Sequence, residues 1–249
     1  MELSAEKCKV MHFGRLNRRA NYTMIDNLGR TITLATASRE KDLGIIITPD
    51  LKWHEQVCHA SSNANRVLGR LKNTFTTRDE KLWTQLYKVY VRPHLEFAVS
   101  AWCPYQRGDI RIMERVQQRA TRIALSGSRR EDYNSRCMRL GIQKLDSRRR
   151  RGELIQFFKI QKGLDRVSWS KNLLLVPPRA GRRARFRREI VRGCSQRHNF
   201  FTNRVIGDWN ELPCELAEVR TIDEFKKGLD EWMMDRQLAK GPLSEIPET

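Results

Sequence analysis

Residues 83–104 read WTQLYKVYVRPHLEFAVSAWCP, the longest run in the chain that aromatic and aliphatic side chains dominate. Before Pro93 its apolar residues recur at helical spacing, which predicts a helix with a broad apolar face. Pro93 has no amide hydrogen and disfavours the helical conformation at Arg92, so a kink or break is expected there. The apolar pattern resumes at Leu95 and continues to Trp102, which predicts a second buried segment. The stretch is therefore expected to lie at the centre of a hydrophobic core.

The chain on both sides of this stretch carries the signals of further helices. Thr77 and Glu80 have the spacing of a capping box, which predicts that the central helix begins there. Apolar residues at helical spacing over residues 53–75 predict a long amphipathic helix before it. After it, the pattern predicts a helix that Asp109 caps and that Gly127 ends.

Helical signals continue in the second half of the chain. Periodic apolar residues predict helices near residues 133–140, 145–164 and 200–209. Thr221 and Glu224 form a second capping-box pattern, which predicts the start of a last helix.

The first 48 residues carry strand patterns instead. Residues 7–14 (KCKVMHFG) alternate and end at a glycine, residues 22–25 and 31–36 flank a polar turn, and residues 42–47 (DLGIII) precede a proline. These patterns predict a strand, a hairpin and a further strand. Because so few strands need another surface to pack on, the chain is expected to be truncated at its start. The predicted fold class is mainly α with a small N-terminal antiparallel β portion (α+β).

Positive charge is concentrated in the middle of the chain. Lys and Arg number 21 against 12 Asp and Glu over residues 1–128, 21 against 6 over residues 129–198, and 6 against 11 over residues 199–249. With a net charge of +19 and an isoelectric point near 10.2, the chain is expected to bind a polyanion. Nucleic acid is the first candidate, because arginine dominates the middle segment and makes bidentate contacts with phosphate. An anionic membrane surface is the competing partner.

Three groups of arginines are the candidate phosphate-binding residues. The first lies on the outward face of the helix predicted after Asp109, and the second lies near the start of the helix predicted at 145–164. The third belongs to residues 165–198, which lack periodicity and are expected to form a linker or a mobile arm. The candidates are Arg111, Arg115, Arg119, Arg122, Arg148, Arg149, Arg150, Arg151, Arg182, Arg183, Arg185, Arg187 and Arg188.

Two further features accompany these arginines. Arg129 and Arg130 add to the charge of the middle segment, and Phe186 is a candidate for stacking on unpaired bases. A solvated charged surface and a nuclear-localisation signal are alternative interpretations of the same arginine runs.

The cysteines and the hydropathy indicate an intracellular protein. The six cysteines are widely scattered without a CxxC pair, which is typical of reduced thiols rather than of a disulfide scaffold. The sequence shows no signal-peptide pattern and no run of about 18 apolar residues that would span a membrane. The expected location is therefore nuclear or cytoplasmic.

No pattern of catalytic residues or metal ligands stands out. His54 with Cys58, and Cys194 with His198, each lie four residues apart, but a structural zinc site needs four ligands. Nucleophilic catalysis requires a Ser or Cys with a base and an orienting group, and no GxSxG-like motif indicates one. The sequence also lacks the Asp-Asp pair typical of two-metal phosphoryl transfer. We therefore expect no catalytic residue, no metal and no cofactor.

An ordered set of motifs covers nearly the whole chain. They are KCKVMHFG (7–14), DLGIII (42–47), LYKVYVRPHLEFAVSAWCP (86–104), ERVQQRATRIA (114–124), RRRRGELIQFFK (148–159) and FFTNRVIGDWNELP (200–213). Together they resemble the C-terminal half of a non-LTR (LINE-type, jockey-like) retrotransposon reverse transcriptase.

The resemblance implies a domain organisation and a function. Residues 1–48 would correspond to the end of the palm and the primer grip, and 49–128 to a helical thumb that holds the template–primer duplex. A basic region at 129–198, C-terminal helices at 199–240 and a disordered tail at 241–249 would follow. The family's catalytic aspartates, including the Tyr-Ala-Asp-Asp box, would lie upstream of Met1, so the chain is expected to bind RNA or DNA without being an enzyme by itself. The alternatives are a piece of a longer active reverse transcriptase and a non-functional relic.

Overall fold

The computed structural model describes residues 4, 7–14, 16–77, 79–126, 131–167, 173, 175–177 and 184–239. Of these, residues 237–239 are described as backbone only. Over the described residues the protein is mainly helical with small sheets near the N-terminus, which confirms the predicted fold class. The chain forms two compact units. Unit 1 comprises Met1–Phe97 and Trp102–Leu145, and unit 2 comprises Ala98–Ala101 and Asp146–Thr249.

The described part of the first 48 residues folds into three two-stranded pairings. They join β1 (Lys9–Val10) to β4 (Ala35–Thr36), β2 (Thr23–Ile25) to β3 (Thr31–Thr33), and β5 (Glu40–Asp42) to β6 (Ile45–Ile47). The predicted hairpin is confirmed as β2–β3, and Asp26 stabilises its turn by accepting hydrogen bonds from the backbone of Leu28 and Arg30. The β1–β4 pairing is parallel, which the strand patterns did not predict.

The prediction of a single strand over residues 42–47 is wrong. Leu43 and Gly44 both have positive φ, at 44° and 89°, and they form the two-residue turn of the β5–β6 hairpin. Positive φ at both positions matches the twist of tight hairpins, for which glycine is well suited. Ile46 of this hairpin is buried. Its backbone N–H donates a hydrogen bond to Gln56 Oε1 of the following helix at 2.9 Å.

Helices build the rest of unit 1. They are α1 (His54–Thr74), α2 (Glu80–Leu86), α3 (Arg92–Glu96), α4 (Arg107–Ala124) and α5 (Tyr133–Arg139). The helices predicted over residues 53–75 and 133–140 are confirmed as α1 and α5. The N-cap of α2 is Asp79, whose side chain accepts the Leu82 N–H at 2.7 Å, so the prediction of a Thr77 cap is wrong. Asp109 lies in the first turn of α4, which begins after Gln106, and is not its cap.

The helical path does not break at Pro93. A π-helical turn (Tyr87–Val91) joins α2 to α3, and the Arg92 N–H bonds the Tyr87 carbonyl five residues back. This wider turn changes the hydrogen-bond register immediately before Pro93, so the path continues without a Pro93 N–H. Helix α3 ends at Glu96, and the carbonyl of the next residue, Phe97, accepts the Trp102 indole N–H at 2.8 Å. Leu95 and Trp102 are fully buried, as predicted for this core segment, whereas Phe97 between them is 51% exposed, so the prediction is wrong there.

Unit 2 packs an aromatic core between its helices. From Asp146 onward its elements are the remainder of α6 (Leu145–Gln161), β7 (Leu175–Val176), β8 (Arg185–Phe186), α7 (Ser195–His198), α8 (Phe201–Asn210), α9 (Cys214–Glu218) and α10 (Ile222–Ala239). Phe158 stacks on Phe225 with ring centroids 4.2 Å apart, and Phe157 meets Trp209 at 4.9 Å. The capping box before α10 is confirmed, because the Thr221 and Glu224 side chains exchange hydrogen bonds with each other's backbone N–H.

Part of the segment predicted as a mobile arm is anchored to this core. Strand β8 pairs with β7, and Phe186 meets Phe157 edge-on at 5.4 Å. The Asn210 side chain bonds both the N–H and the carbonyl of Phe186, at 3.0 and 2.8 Å. The prediction of an extended arm is therefore wrong around Phe186, and residues 178–183 lie outside the described residues.

Candidate nucleic-acid interface

Helix α4 has one buried face and one arginine face. Its buried residues are Asp109, Met113, Val116, Gln117, Ala120, Thr121 and Ala124. Because an α-helix has 3.6 residues per turn, arginines spaced by three or four residues lie together on the opposite side. Arg111, Arg115, Arg119 and Arg122 are all exposed there, as the sequence predicts. Helix α4 ends at Ala124, three residues before the predicted end at Gly127, which itself lies outside the described residues.

The sequence interpretation missed one member of this face. Arg107 is exposed and lies four residues before Arg111, at the first position of α4. The same spacing that joins Arg111, Arg115 and Arg119 would have identified it. We call the five residues Arg107, Arg111, Arg115, Arg119 and Arg122 the α4 arginine face.

A buried polar cluster fixes the rotation of α4. Gln117 is fully buried on the side away from the arginines, and its Oε1 accepts a hydrogen bond from the Tyr87 hydroxyl at 2.7 Å. Its Nε2 donates to the Tyr133 hydroxyl at 2.8 Å and to the Gln143 carbonyl at 3.1 Å. Burial raises the pKa of both phenols, and the Glu114 carboxylate raises them further, so both remain protonated at neutral pH. Turning α4 would leave several buried polar atoms without hydrogen bonds.

Helix α1 lies beside α4 and contacts two of its residues, Asp109 and Arg119. His54 Nδ1 lies 2.6 Å from Asp109 Oδ1, and Asn65 Oδ1 accepts a 3.4 Å hydrogen bond from Arg119. Both contacts join residues 54 or 55 positions apart in the chain, so the two helices run side by side in the same direction. Asn65 orients Arg119 without cancelling its charge, because an amide is neutral.

The charge of this face is not neutralised by neighbouring carboxylates. No member of the α4 arginine face forms an ion pair with any residue that the structure describes. The face spans about 22 Å along the helix axis, at 1.5 Å per residue. One strand of B-DNA carries about six phosphates over such a length. Five guanidinium groups are therefore available to phosphates along one rigid helix.

The arginine run at 148–151 is placed differently. Arg149 is only 4% exposed, and Arg148 is half-buried. Arg150 pairs with Asp208 at 3.2 Å and Asp146 at 3.5 Å, and Arg151 binds both carboxylate oxygens of Asp230. Burial nevertheless raises the pKa of Asp208, against the effect of Arg150.

These contacts leave less of the predicted phosphate-binding run at 148–151 available to a phosphate. Arg149 is removed from the surface, and Arg150 and Arg151 serve the packing of α6 against α8 and α10 through their carboxylate partners. A phosphate would have to compete with those carboxylates.

The third predicted group is described only in part. Arg185 and Arg187 are exposed, and Arg188 is exposed and contacts His198 Nε2 at 2.9 Å. Phe186 packs in the unit 2 core, so it is not presented for base stacking. The remaining arginines of the predicted site, Arg182 and Arg183, lie outside the described residues, as do Arg129 and Arg130.

The described residues offer no metal-binding or membrane-spanning site. No three His, Cys, Asp or Glu side chains among them come together in a way that could hold a metal ion. Within that part of the chain no helix combines the length and hydrophobicity needed to cross a membrane. No protein-family profile, curated protein or solved structure matches this chain.

Proposed function

We propose that this chain binds nucleic acid without sequence preference through the α4 arginine face. The observation that carries the proposal is a row of five exposed arginines without carboxylate partners among the described residues, on a helix whose rotation is fixed by buried hydrogen bonds. Arginine favours phosphate because its planar guanidinium bonds two oxygens at once. Contacts with phosphates carry no base information, so the binding would be independent of sequence.

The absence of ion pairs is what separates this face from an ordinary charged surface. On the 148–151 run the chain supplies its own carboxylates, which neutralise Arg150 and Arg151. On the α4 face five like charges repel one another, and a polyanion would relieve that repulsion. We therefore place the binding site on α4 because its arginines have no carboxylate partners among the described residues, and not because of their number.

The family resemblance gives this binding a context. We propose that the chain is a catalytically incomplete fragment of a non-LTR-type RNA-directed DNA polymerase, intracellular and without a cofactor. The helices α1–α4 fall in the region that resembles the thumb, which in that family holds the template–primer duplex. The sequence contains no Asp-Asp pair, so the proposal is for binding alone. A longer active polymerase that contained this segment would use the same face.

Two variants that each remove five positive charges test the proposal. One changes the α4 arginine face to Gln, and the other changes Arg182, Arg183, Arg185, Arg187 and Arg188 to Gln. Gln keeps the helix propensity close to that of Arg. Binding to duplex DNA, single-stranded RNA and an RNA–DNA hybrid would be measured by fluorescence anisotropy from 50 to 200 mM salt.

The expected result is a loss of affinity and of salt dependence that is specific to the α4 variant. Each lost phosphate contact lowers the slope of log K against log salt by about 0.9, so the α4 variant should lose about 4.5. Equal losses in both variants would show that only total charge matters. A larger loss in the second variant would move the site to residues 182–188, and no binding by the folded wild type at 50 mM salt would overturn the proposed function.

A further inference from the structure

A cysteine, a histidine and an aspartate of unit 1 contact one another in sequence, outside the α4 arginine face. His54 and Cys58 are one turn apart on α1, and Cys58 Sγ lies 3.6 Å from His54 Nε2. The other ring nitrogen, Nδ1, lies 2.6 Å from Asp109 Oδ1 on α4. The imidazole therefore stands between a thiol and a carboxylate.

The carboxylate determines which nitrogen of His54 carries the hydrogen. An ionised Asp109 can only accept, so the contact at 2.6 Å places the hydrogen on Nδ1. Nε2 is then left with its lone pair, directed at Cys58 Sγ. This is the order of groups that activates a nucleophile: a thiol, a base that takes its proton, and a third group that orients the base.

The exposure of the three side chains is consistent with these three roles of orienting group, base and nucleophile. The Asp109 side chain is 6% exposed and lies in the first turn of α4, where the helix dipole favours a negative charge. His54 has 59% of its side chain exposed, and Cys58 is exposed. The orienting group is thus held in place while the sulfur is open to solvent.

The same geometry argues against a metal site. Asp109 and Cys58 contact opposite nitrogens of one imidazole ring, so the three side chains do not converge on one ion. The search over the described residues finds no group of three ligands here.

We propose that Cys58 is a reactive thiol that undergoes exchange with low-molecular-weight disulfides. His54 Nε2 takes the proton of Cys58, and the resulting thiolate attacks one sulfur of the disulfide. The S–S bond of the reagent breaks as the mixed disulfide with Cys58 forms, and the leaving thiolate takes the proton back from His54. Asp109 is a positioning residue, which stabilises the imidazolium and holds the ring in line. This modification site is independent of the proposed nucleic-acid binding.

The chain contains its own controls. Cys194 and Cys214 are exposed as Cys58 is, and among the described residues neither thiol contacts a histidine side chain. Cys137 is buried, burial raises the pKa of its thiol, and Gln117 Nε2 lies 3.8 Å from its sulfur. Exposure alone therefore predicts equal rates of disulfide exchange for Cys58, Cys194 and Cys214, whereas the contact with His54 predicts a faster rate for Cys58. A reaction at the buried Cys137 would indicate unfolding.

The test is the rate of mixed-disulfide formation at each cysteine of the full chain with glutathione disulfide at pH 7, followed by peptide mass spectrometry. We expect Cys58 to react about tenfold faster than Cys194 and Cys214, because a free thiol near pKa 8.5 is only a few per cent thiolate at that pH. His54→Gln should bring the Cys58 rate down to that of Cys214 and leave the other two exposed thiols unchanged.

Asp109→Asn separates positioning from folding. Loss of positioning lowers the Cys58 rate alone, whereas loss of folding also exposes Cys137 and raises its rate. If Asp109→Asn unfolds the protein, the His54→Gln comparison decides alone. Equal rates for Cys58 and Cys214 in the wild type, or a Cys58 rate that His54→Gln leaves unchanged, would overturn the proposal.

Discussion

The Tyr87 hydroxyl donates a 2.7 Å hydrogen bond to the side-chain oxygen of Gln117, and both residues are buried in unit 1. Tyr87 begins the π-helical turn of the central apolar stretch, and Gln117 lies on α4 opposite the arginine face. The bond therefore connects the segment that organises the core to the helix that carries the candidate interface. Because Gln117 has further bonds to Tyr133 and the Gln143 carbonyl, its position is set from three sides.

Tyr87→Phe should destabilise unit 1 by about 1–3 kcal/mol, because it leaves the buried Gln117 oxygen without its donor. Tyr90→Phe is the matched control, since Tyr90 is 55% exposed and lies in the same π-helical turn. The control should change the free energy of unfolding by no more than about 0.5 kcal/mol. Urea unfolding measures both changes. Equal effects of the two substitutions would show that the buried Tyr87–Gln117 hydrogen bond does not stabilise this core.

The buried Tyr87 and the half-buried Tyr133 predict a loss of stability in alkaline solution. Burial raises the pKa of Tyr87 and of Tyr133 above the ordinary value of 10.0. Above that pH the unfolded chain releases protons that the folded chain keeps, so the free energy of unfolding falls as pH rises. Each such tyrosine contributes up to about 1.4 kcal/mol per pH unit.

The comparison of wild type with Tyr133→Phe isolates one of these contributions. The variant should show a shallower decline of unfolding free energy between pH 10 and 11, measured by urea titration at each pH. The other titrating groups are shared by the two proteins and cancel in the difference, except Cys137, whose pKa the Tyr133 hydrogen bond lowers. Parallel declines would contradict a raised pKa for Tyr133.

Gly152 and Gly207 should respond to alanine in opposite directions. A Cβ on Gly152 of α6 would lie 2.7 Å from Val99 Cγ2, whereas a Cβ on Gly207 of α8 would meet no atom within 4 Å. Val99 cannot yield easily, because its side chain is stiff and Arg204 bonds the carbonyls of Val99 and Ser100 at 3.2 and 3.1 Å. Helix propensity alone favours alanine over glycine by about 1 kcal/mol at either position.

Thermal unfolding of the two variants gives the outcome. Gly207→Ala should raise the melting temperature, and Gly152→Ala should lower it because overpacking costs about 1–3 kcal/mol. Both glycines belong to unit 2, so the same unfolding transition reports on both. A rise in both variants would show that residues 98–101 can move away from α6.

The spacing of apolar residues predicted the long helices but not the junctions between them. Helices α1 and α6 lie where apolar spacing predicts them, because a buried stripe at 3.6-residue spacing is local information. The helical passage through Pro93 depends on a change of hydrogen-bond register in the preceding π turn. The turn at Gly44, which lies against the Phe97 ring, brings together residues far apart in the chain.

The candidate site shows the same division. Four of the five residues of the α4 arginine face were predicted, because helical spacing alone aligns them. The carboxylate partners of Arg150 and Arg151 in the run at 148–151 were not predicted, because charge counting does not reveal which side chains pair. Asp230, which neutralises Arg151, lies 79 residues further along the chain. The His54–Asp109 contact, which joins residues 55 apart, was likewise invisible in the sequence.

Arg107 predicts a conflict between stability and binding. It occupies the first position of α4, where the helix dipole disfavours a positive charge, whereas Arg122 lies in the last turn, where the dipole favours one. Arg107→Glu should therefore stabilise unit 1 by about 0.3–1 kcal/mol, and Arg122→Glu should destabilise it by a similar amount. Both variants change the net charge equally, and both should weaken nucleic-acid binding to a similar extent.

Urea unfolding and anisotropy titrations on the same two proteins measure the two effects separately. If binding simply followed stability, Arg107→Glu would bind more tightly than the wild type. A loss of affinity in the more stable variant would instead mean that Arg107 is retained at an unfavourable helix position for the sake of its contact with a phosphate. Unchanged binding in both variants would remove the two ends of α4 from the interface and confine it to Arg111, Arg115 and Arg119.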